Sequence, residues 1–125
     1  KIQRAFVIHG ALGWDEATPI GPFDLFDVTN GQVRHQVRDP QDVDLPRCTA
    51  NDLAGGDASY NAKALADLLS GVGGPYQDAS CLASGLALEV CGLASDMREG
   101  VTMARAAITD GRTKRLLSAL RGVHE

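Results

Sequence analysis

The sequence predicts an α/β protein in which strands come first and packed helices follow. Three observations carry that expectation. A dense apolar run, Ala5-Phe6-Val7-Ile8-His9, opens the chain and has the length and content of a strand. Two further β-rich stretches flank Thr29-Asn30-Gly31, whose Asn-Gly pair suits a tight hairpin turn. Beyond Gly55 the apolar period changes from that of strands to that of helices.

The elements follow in order. The first strand is so apolar that it suits a place covered on both faces. Only four residues precede it, so it looks like part of a larger mixed sheet whose other strands lie elsewhere. Gly10 to Glu16 is a glycine-punctuated loop, and Phe23 to Arg38 is the hairpin. Asp39 to Pro46 is polar and bounded by proline, and reads as a surface loop. Asp57 is placed to cap a helix running from Ala58, with Gly71 as its stop. Pro75 fits the first turn of the next helix, which runs from about Tyr76 to Cys91 and ends at Gly92. Ala83, Ser84, Gly85 and Ala87 keep that helix slim, which permits close approach by a neighbour. Asp96 with Glu99 three residues on has part of a capping-box pattern, and Val101, Ala104, Ala107 and Ile108 trace a buried stripe. A last helix, Thr113 to Leu120, presents Leu116, Leu117 and Leu120.

With 125 residues there is room for one domain. Sixteen acidic and twelve basic side chains leave a formal charge of −4, so no global field draws the chain to nucleic acid. Arg112, Lys114, Arg115 and Arg121 form the densest basic set and read as a solvated helix end whose charge suits the dipole. The longest apolar run, Cys81 to Cys91, is broken by Ser84 and Glu89 and is too short to cross a bilayer. Cys48, Cys81 and Cys91 have no metal-ligand spacing; Cys81 and Cys91 are expected in the core. No secretory segment opens the chain, and a reducing cytoplasm is the expected compartment.

Chemistry points first to Asp15 and Glu16. Adjacent carboxylates repel unless a cation or donor lies between them, and hard oxygen ligands suit Mg²⁺, which needs few protein carboxylates when phosphate supplies the rest. From spacing alone, a solvated acidic loop remains the plainer reading. His9 ends the same strand and reads more simply as a packing residue than as a catalyst. His35 and His124 lack partners at ligand spacing. Gly55-Gly56-Asp57 stands before a helix, but Asp57 as the cap opposes a second anion there.

Several ordered stretches resemble anthranilate phosphoribosyltransferases. Val7-Ile8-His9-Gly10-Ala11-Leu12-Gly13-Trp14-Asp15-Glu16, then Pro19-Ile20-Gly21-Pro22, is similar to that family's V-V-H-G-x-x-G-x-D-E segment. Leu53-Ala54-Gly55-Gly56-Asp57-Ala58, Asn61-Ala62, Leu69-Ser70-Gly71, Gly74-Pro75, Asp78-Ala79 and Arg98-Glu99-Gly100 follow in register. The resemblance implies an enzyme of tryptophan biosynthesis that transfers phosphoribosyl from phosphoribosyl pyrophosphate to anthranilate and releases pyrophosphate. It further implies Mg²⁺ held through Asp15 and Glu16, a supporting role for His9, Gly10 and Gly13, and a homodimeric parent.

The family's upstream Gly-Thr-Gly-Gly-Asp loop, its Asn-x-Ser/Thr and Lys-His-Gly segments and its anthranilate-gripping residues do not occur here. Residues 1–125 are therefore expected to be the C-terminal part of the large α/β domain, inactive alone. Ala83 stands where family members often carry Asn, which weakens functional equivalence more than it weakens the fold. Two other readings follow: a related transferase or pyrimidine nucleoside phosphorylase with another acceptor, and a non-catalytic or split-enzyme module. A first strand without its neighbours is expected to expose an edge or an apolar face.

Overall fold

The computed structural model describes residues 2–124, with the His124 side chain outside the described set. Three antiparallel strands lie in the order β1 (Arg4–His9), β2 (Phe23–Thr29), β3 (Gln32–Arg38). Four helices follow: α1 (Ala58–Leu69), α2 (Pro75–Val90), α3 (Met97–Thr109) and α4 (Arg112–Arg121). The expected α/β class with strands before helices is borne out.

Asn30 and Gly31 both adopt left-handed φ, at 52° and 78°, as a two-residue hairpin requires. That turn sets the register from Phe23 against Arg38 to Thr29 against Gln32. One sheet face carries Phe23, Leu25, Phe6 and Ile8 onto the core, where they meet Leu82 and Leu86 of α2. The opposite face carries Val7, Val33 and Val37 into solvent, Val7 at 57% exposure. The expectation that β1 is covered on both faces is thus corrected: it pairs only with β2 among the described residues, and its apolar residues divide between core and surface. The uncovered edge and face expected of such a strand are both present.

Asp39 to Pro46 also departs from a plain surface loop. Pro40–Val43 forms a 3-10 turn capped by Asp39, and Pro40, Val43 and Leu45 are buried. The polar residues between them face out while Pro40, Val43 and Leu45 plug the core, which composition alone conceals. Cys81 is buried as expected, but Cys91 is exposed, because it follows the last turn of α2.

Helices α2 and α3 cross at a glycine pair. A Cβ on Gly100 would stand 2.4 Å from the Gly85 carbonyl oxygen, and one on Gly85 would stand 2.7 Å from the Val101 nitrogen. Backbone-to-backbone contact of this kind excludes any larger residue, so the slimness expected of α2 serves this crossing. Asp96 caps α3 through the Glu99 N–H at 2.8 Å, while the Glu99 carboxylate accepts from Ser95 and not from Asp96.

The basic set needs a correction. Arg112, Lys114 and Arg115 lie in the opening turns of α4, and only Arg121 is at its C-terminal end. Arg115 instead donates to the Asp110 carbonyl at the end of α3, and Arg112 pairs with the Asp110 side chain at 2.7 Å. Their charge therefore suits the dipole of the preceding helix.

Candidate functional site

The loop from Gly10 to Pro22 links β1 to β2 and carries both acids. The Gly10 N–H donates to the Trp14 carbonyl at 2.8 Å, and the Gly13 and Trp14 N–H groups close a 3-10 turn onto Gly10 and Ala11. Gly10 is buried, and a Cβ there would lie 2.1 Å from the Glu16 carbonyl oxygen. Only glycine lets the chain double back so tightly. Ala17, Thr18 and Pro19 then sink into the core. Anchored on both sides, the loop lifts Asp15 and Glu16 to the surface, where both are exposed.

Neither carboxylate joins an ion pair among the described residues. They line a cleft of about 400 Å³ together with Phe6 and Ile8 of β1 and Ala83, Leu86 and Val90 of α2. Arg4 also lines this cleft but is paired with Asp27, so two adjacent like charges stand here without a cation of their own and an incoming one is favoured. No group of three or more His, Cys, Asp or Glu able to hold a metal occurs among the described residues. Two carboxylates fit an ion that takes its remaining ligands from water and phosphate, as Mg²⁺ does; they do not make a closed protein cage.

Other candidates fall away from this rim. His9 is exposed and stands opposite Asp24 in the β1–β2 register. His35 Nε2 lies 2.6 Å from Asp24 Oδ1 and its ring stacks on Phe26 at 4.7 Å, all on the solvent-facing sheet surface. Asp57 caps α1 by accepting from the Tyr60 N–H at 2.8 Å, and that hydrogen bond holds its carboxyl below the usual range. The Gly56 N–H is already taken by the Asn61 side chain at 2.9 Å. An anion is therefore not invited there. A cleft of about 580 Å³ among the helices is lined by residues that include Leu68, Cys81, Leu88, Met103 and Ile108, with no acid among them.

Sequence reasoning missed a half-buried ionic lock, centred on the buried Glu89, at the Arg4 end of β1. Arg38 grips Glu89 of α2 through two hydrogen bonds of 2.6 and 2.9 Å. Arg4 pairs with Asp27 at 2.8 Å and donates to the Glu89 carbonyl at 3.1 Å. Both guanidinium groups lie over the Phe6 ring, at 4.7 and 5.5 Å, a cation–π arrangement that also shields the pairs. The Arg4 hydrogen bond holds the Asp27 carboxyl below its ordinary range, against the opposing effect of burial. In the sequence Glu89 reads only as an interruption in an apolar run. A carboxylate inside a helix's buried stripe is the signal that could have found it, since buried charges come paired.

A family model described as "Glycosyl transferase family, a/b domain" matches residues 1–114. The chain belongs to this family. It is 43% identical over 123 residues to an anthranilate phosphoribosyltransferase of Xanthobacter autotrophicus, a match covering 98% of this chain and 36% of that protein. The anthranilate phosphoribosyltransferase structure from Thermus thermophilus superposes with a TM-score of 0.83 at 32% identity, covering 93% of this chain and 34% of that one. The Saccharomyces cerevisiae enzyme in complex with PRPP and Mg gives a TM-score of 0.80 at 22% identity over 90% of this chain and 33% of its own, a likeness of fold. The resemblance drawn from the motifs is borne out. The chain spans about a third of the length of the curated relatives it matches.

Proposed function

We propose that this chain supplies the acidic rim of a phosphoribosyl-transfer site, in an enzyme that joins anthranilate to the ribosyl carbon of phosphoribosyl pyrophosphate and releases pyrophosphate. The observation that carries this reading is the Asp15–Glu16 pair, set just after the tight Gly10 turn and without a basic partner among the described residues. Asp15 and Glu16 would hold Mg²⁺ from the protein side. When bound, Mg²⁺ supplies positive charge against the charge that builds on the departing diphosphate. The loop's contribution is placement: its tight turn sets the two carboxylates side by side at the cleft, where they would orient the diphosphate end of the donor. No residue of this chain is assigned proton transfer, because the anthranilate nitrogen loses its own proton readily once bonded to carbon. The parent is read as a homodimer working in the cytoplasm, and no helix of the described residues is long and apolar enough to cross a membrane.

The test is turnover by the full-length protein. With anthranilate, phosphoribosyl pyrophosphate and Mg²⁺ it is expected to form the N-phosphoribosyl product. Asp15→Asn with Glu16→Gln is expected to lower kcat/KM by at least tenfold, or about 1.4 kcal/mol of transition-state stabilisation. An intact protein inert toward anthranilate, yet active on another acceptor, would move the reading to a sister enzyme of the same fold.

A further inference from the structure

At the end of β1 away from Asp15 and Glu16 lies a polar cleft of about 330 Å³, lined by Arg4, Asp27, Thr29, Asn30, Gln32 and Arg34. Arg34 is the anomaly in it. Strand pairing sets Arg34 directly across from Asp27, and opposite charges so placed on one sheet face ordinarily pair. Here both Asp27 oxygens are already engaged. Oδ1 accepts from Arg4 Nε at 3.1 Å and from the Thr29 hydroxyl at 2.9 Å, and Oδ2 accepts from Arg4 Nη2 at 2.8 Å. Arg4, Arg38, Arg47, Arg98, Arg105 and Arg112 each hold a carboxylate. Arg34 joins no ion pair among the described residues.

We propose that this cleft binds a small oxyanion, the phosphate or carboxylate group of a small molecule, through the Arg34 guanidinium. The charge balance favours one. Arg4, Arg34 and Arg38 stand against Asp27 and Glu89 at this end of the sheet, and the pairs already made leave the Arg34 charge over. Asp27, the carboxylate lining the cleft, is neutralised by its two-point grip on Arg4. The donors favour the same ligand. A guanidinium presents a planar fork of N–H groups that matches two oxygens of a carboxylate or phosphate. The Asn30 and Gln32 amides, on either side of Gly31, add further N–H donors. Arg34, Asn30 and Gln32 are exposed, so an anion reaches them from solvent. The volume lies within the roughly 300–1,000 Å³ of small-ligand sites, room for the anionic group and the atoms that carry it. No metal is needed here. Asp15 and Glu16, by contrast, repel an anion that lacks a bridging cation, so this proposal stands apart from their assignment.

The hairpin's own signals report on this cleft in the full-length protein. The Gly31 amide resonance of glycine-labelled protein, assigned by its loss in Gly31→Asn, is followed as phosphate or malonate replaces chloride at constant ionic strength without Mg²⁺. Saturable movement of that signal is expected, and the anion that binds more tightly names the group the cleft takes. Arg34→Gln is expected to raise the half-saturating concentration at least about fivefold. Arg34→Lys, which keeps the charge but loses the fork, is expected to raise it at least about threefold. Both variants are expected to melt within about 2 °C of the parent, because Arg34 pairs with nothing in the fold. A Gly31 signal unmoved by either anion, or an Arg34→Lys variant that responds like the parent, overturns the oxyanion site. A larger fall in melting temperature gives Arg34 to the fold and overturns it too. Saturation by an oligoglutamate peptide alone gives this face to an acidic protein partner, and the small-ligand site fails.

Discussion

The two ends of β1 treat carboxylates in opposite ways. At the Arg4 end, the half-buried Asp27 and the buried Glu89 are gripped by Arg4 and Arg38, with contacts from 2.6 to 3.1 Å. Beyond the His9 end, Asp15 and Glu16 stand exposed and adjacent with no cation of their own among the described residues. The first set binds strand, hairpin and helix into one body; the second leaves its charge free for something else. The difference teaches that a carboxylate's role follows from its partners more than from its type. Satisfied, partly buried pairs hold architecture together, and exposed acids without partners leave their charge for a ligand.

Breaking the locked end is expected to give the largest change. Glu89→Gln keeps the volume but leaves Arg38 facing an uncharged group in a site where the Glu89 side chain is only 4% exposed. A loss of about 3 kcal/mol or more in unfolding free energy is expected, since removing one partner strands the other; chemical denaturation of the chain measures it. A loss below about 1 kcal/mol would show that Arg38 turns to solvent easily and that the lock is as weak as an exposed pair.

Next in size is Gly10→Ala. The added methyl cannot coexist with a Glu16 carbonyl 2.1 Å away, and the loop must open at a cost of roughly 1–3 kcal/mol. Because this strain falls where the acids are presented, Mg²⁺-dependent donor binding is expected to fall in parallel with the melting temperature. A variant that loses stability but keeps full affinity would detach the loop's shape from its function.

A smaller effect concerns acid. The folded pKa of Asp27 is depressed, chiefly by the Arg4 hydrogen bond, so its contribution is present above the unfolded carboxylate value of about 4 and is lost as pH falls through the folded value. Asp27→Asn is therefore expected to flatten the fall of stability with pH below about 4, as followed by denaturant midpoints in acid. An unaltered acid limb would place the pH sensitivity elsewhere.

The open end gives the smallest stability effect of all. D15N/E16Q is expected to shift unfolding free energy by less than about 0.5 kcal/mol, as for exposed groups without partners. Calorimetric or denaturant unfolding checks it, and a loss above about 1 kcal/mol would mean the acids support the fold.

Much of this contrast was legible in the chain itself, but unevenly. The Asn30-Gly31 turn, the Asp57 and Asp96 caps and the slim α2 helix each depend on a few neighbouring residues, and local chemistry located them. Asp15 and Glu16 were also legible, because strand, glycine loop and acids are contiguous. The ionic lock was not: Arg38 and Glu89 lie 51 positions apart, and Arg4 and Asp27 lie 23 apart, with no pattern joining them until the sheet packs on α2. The coverage of β1 misled because apolar density does not reveal which face finds a partner within this chain.

The most direct measurement of the carboxylate contrast is isothermal titration of Mg²⁺–pyrophosphate into the full-length protein and into its D15N/E16Q and E89Q variants at temperatures where all are folded. Selective loss of binding, about tenfold or more, is expected in D15N/E16Q, with E89Q binding like the parent. Equal affinity in the parent and D15N/E16Q contradicts the assignment of the paired acids to the diphosphate-bound ion.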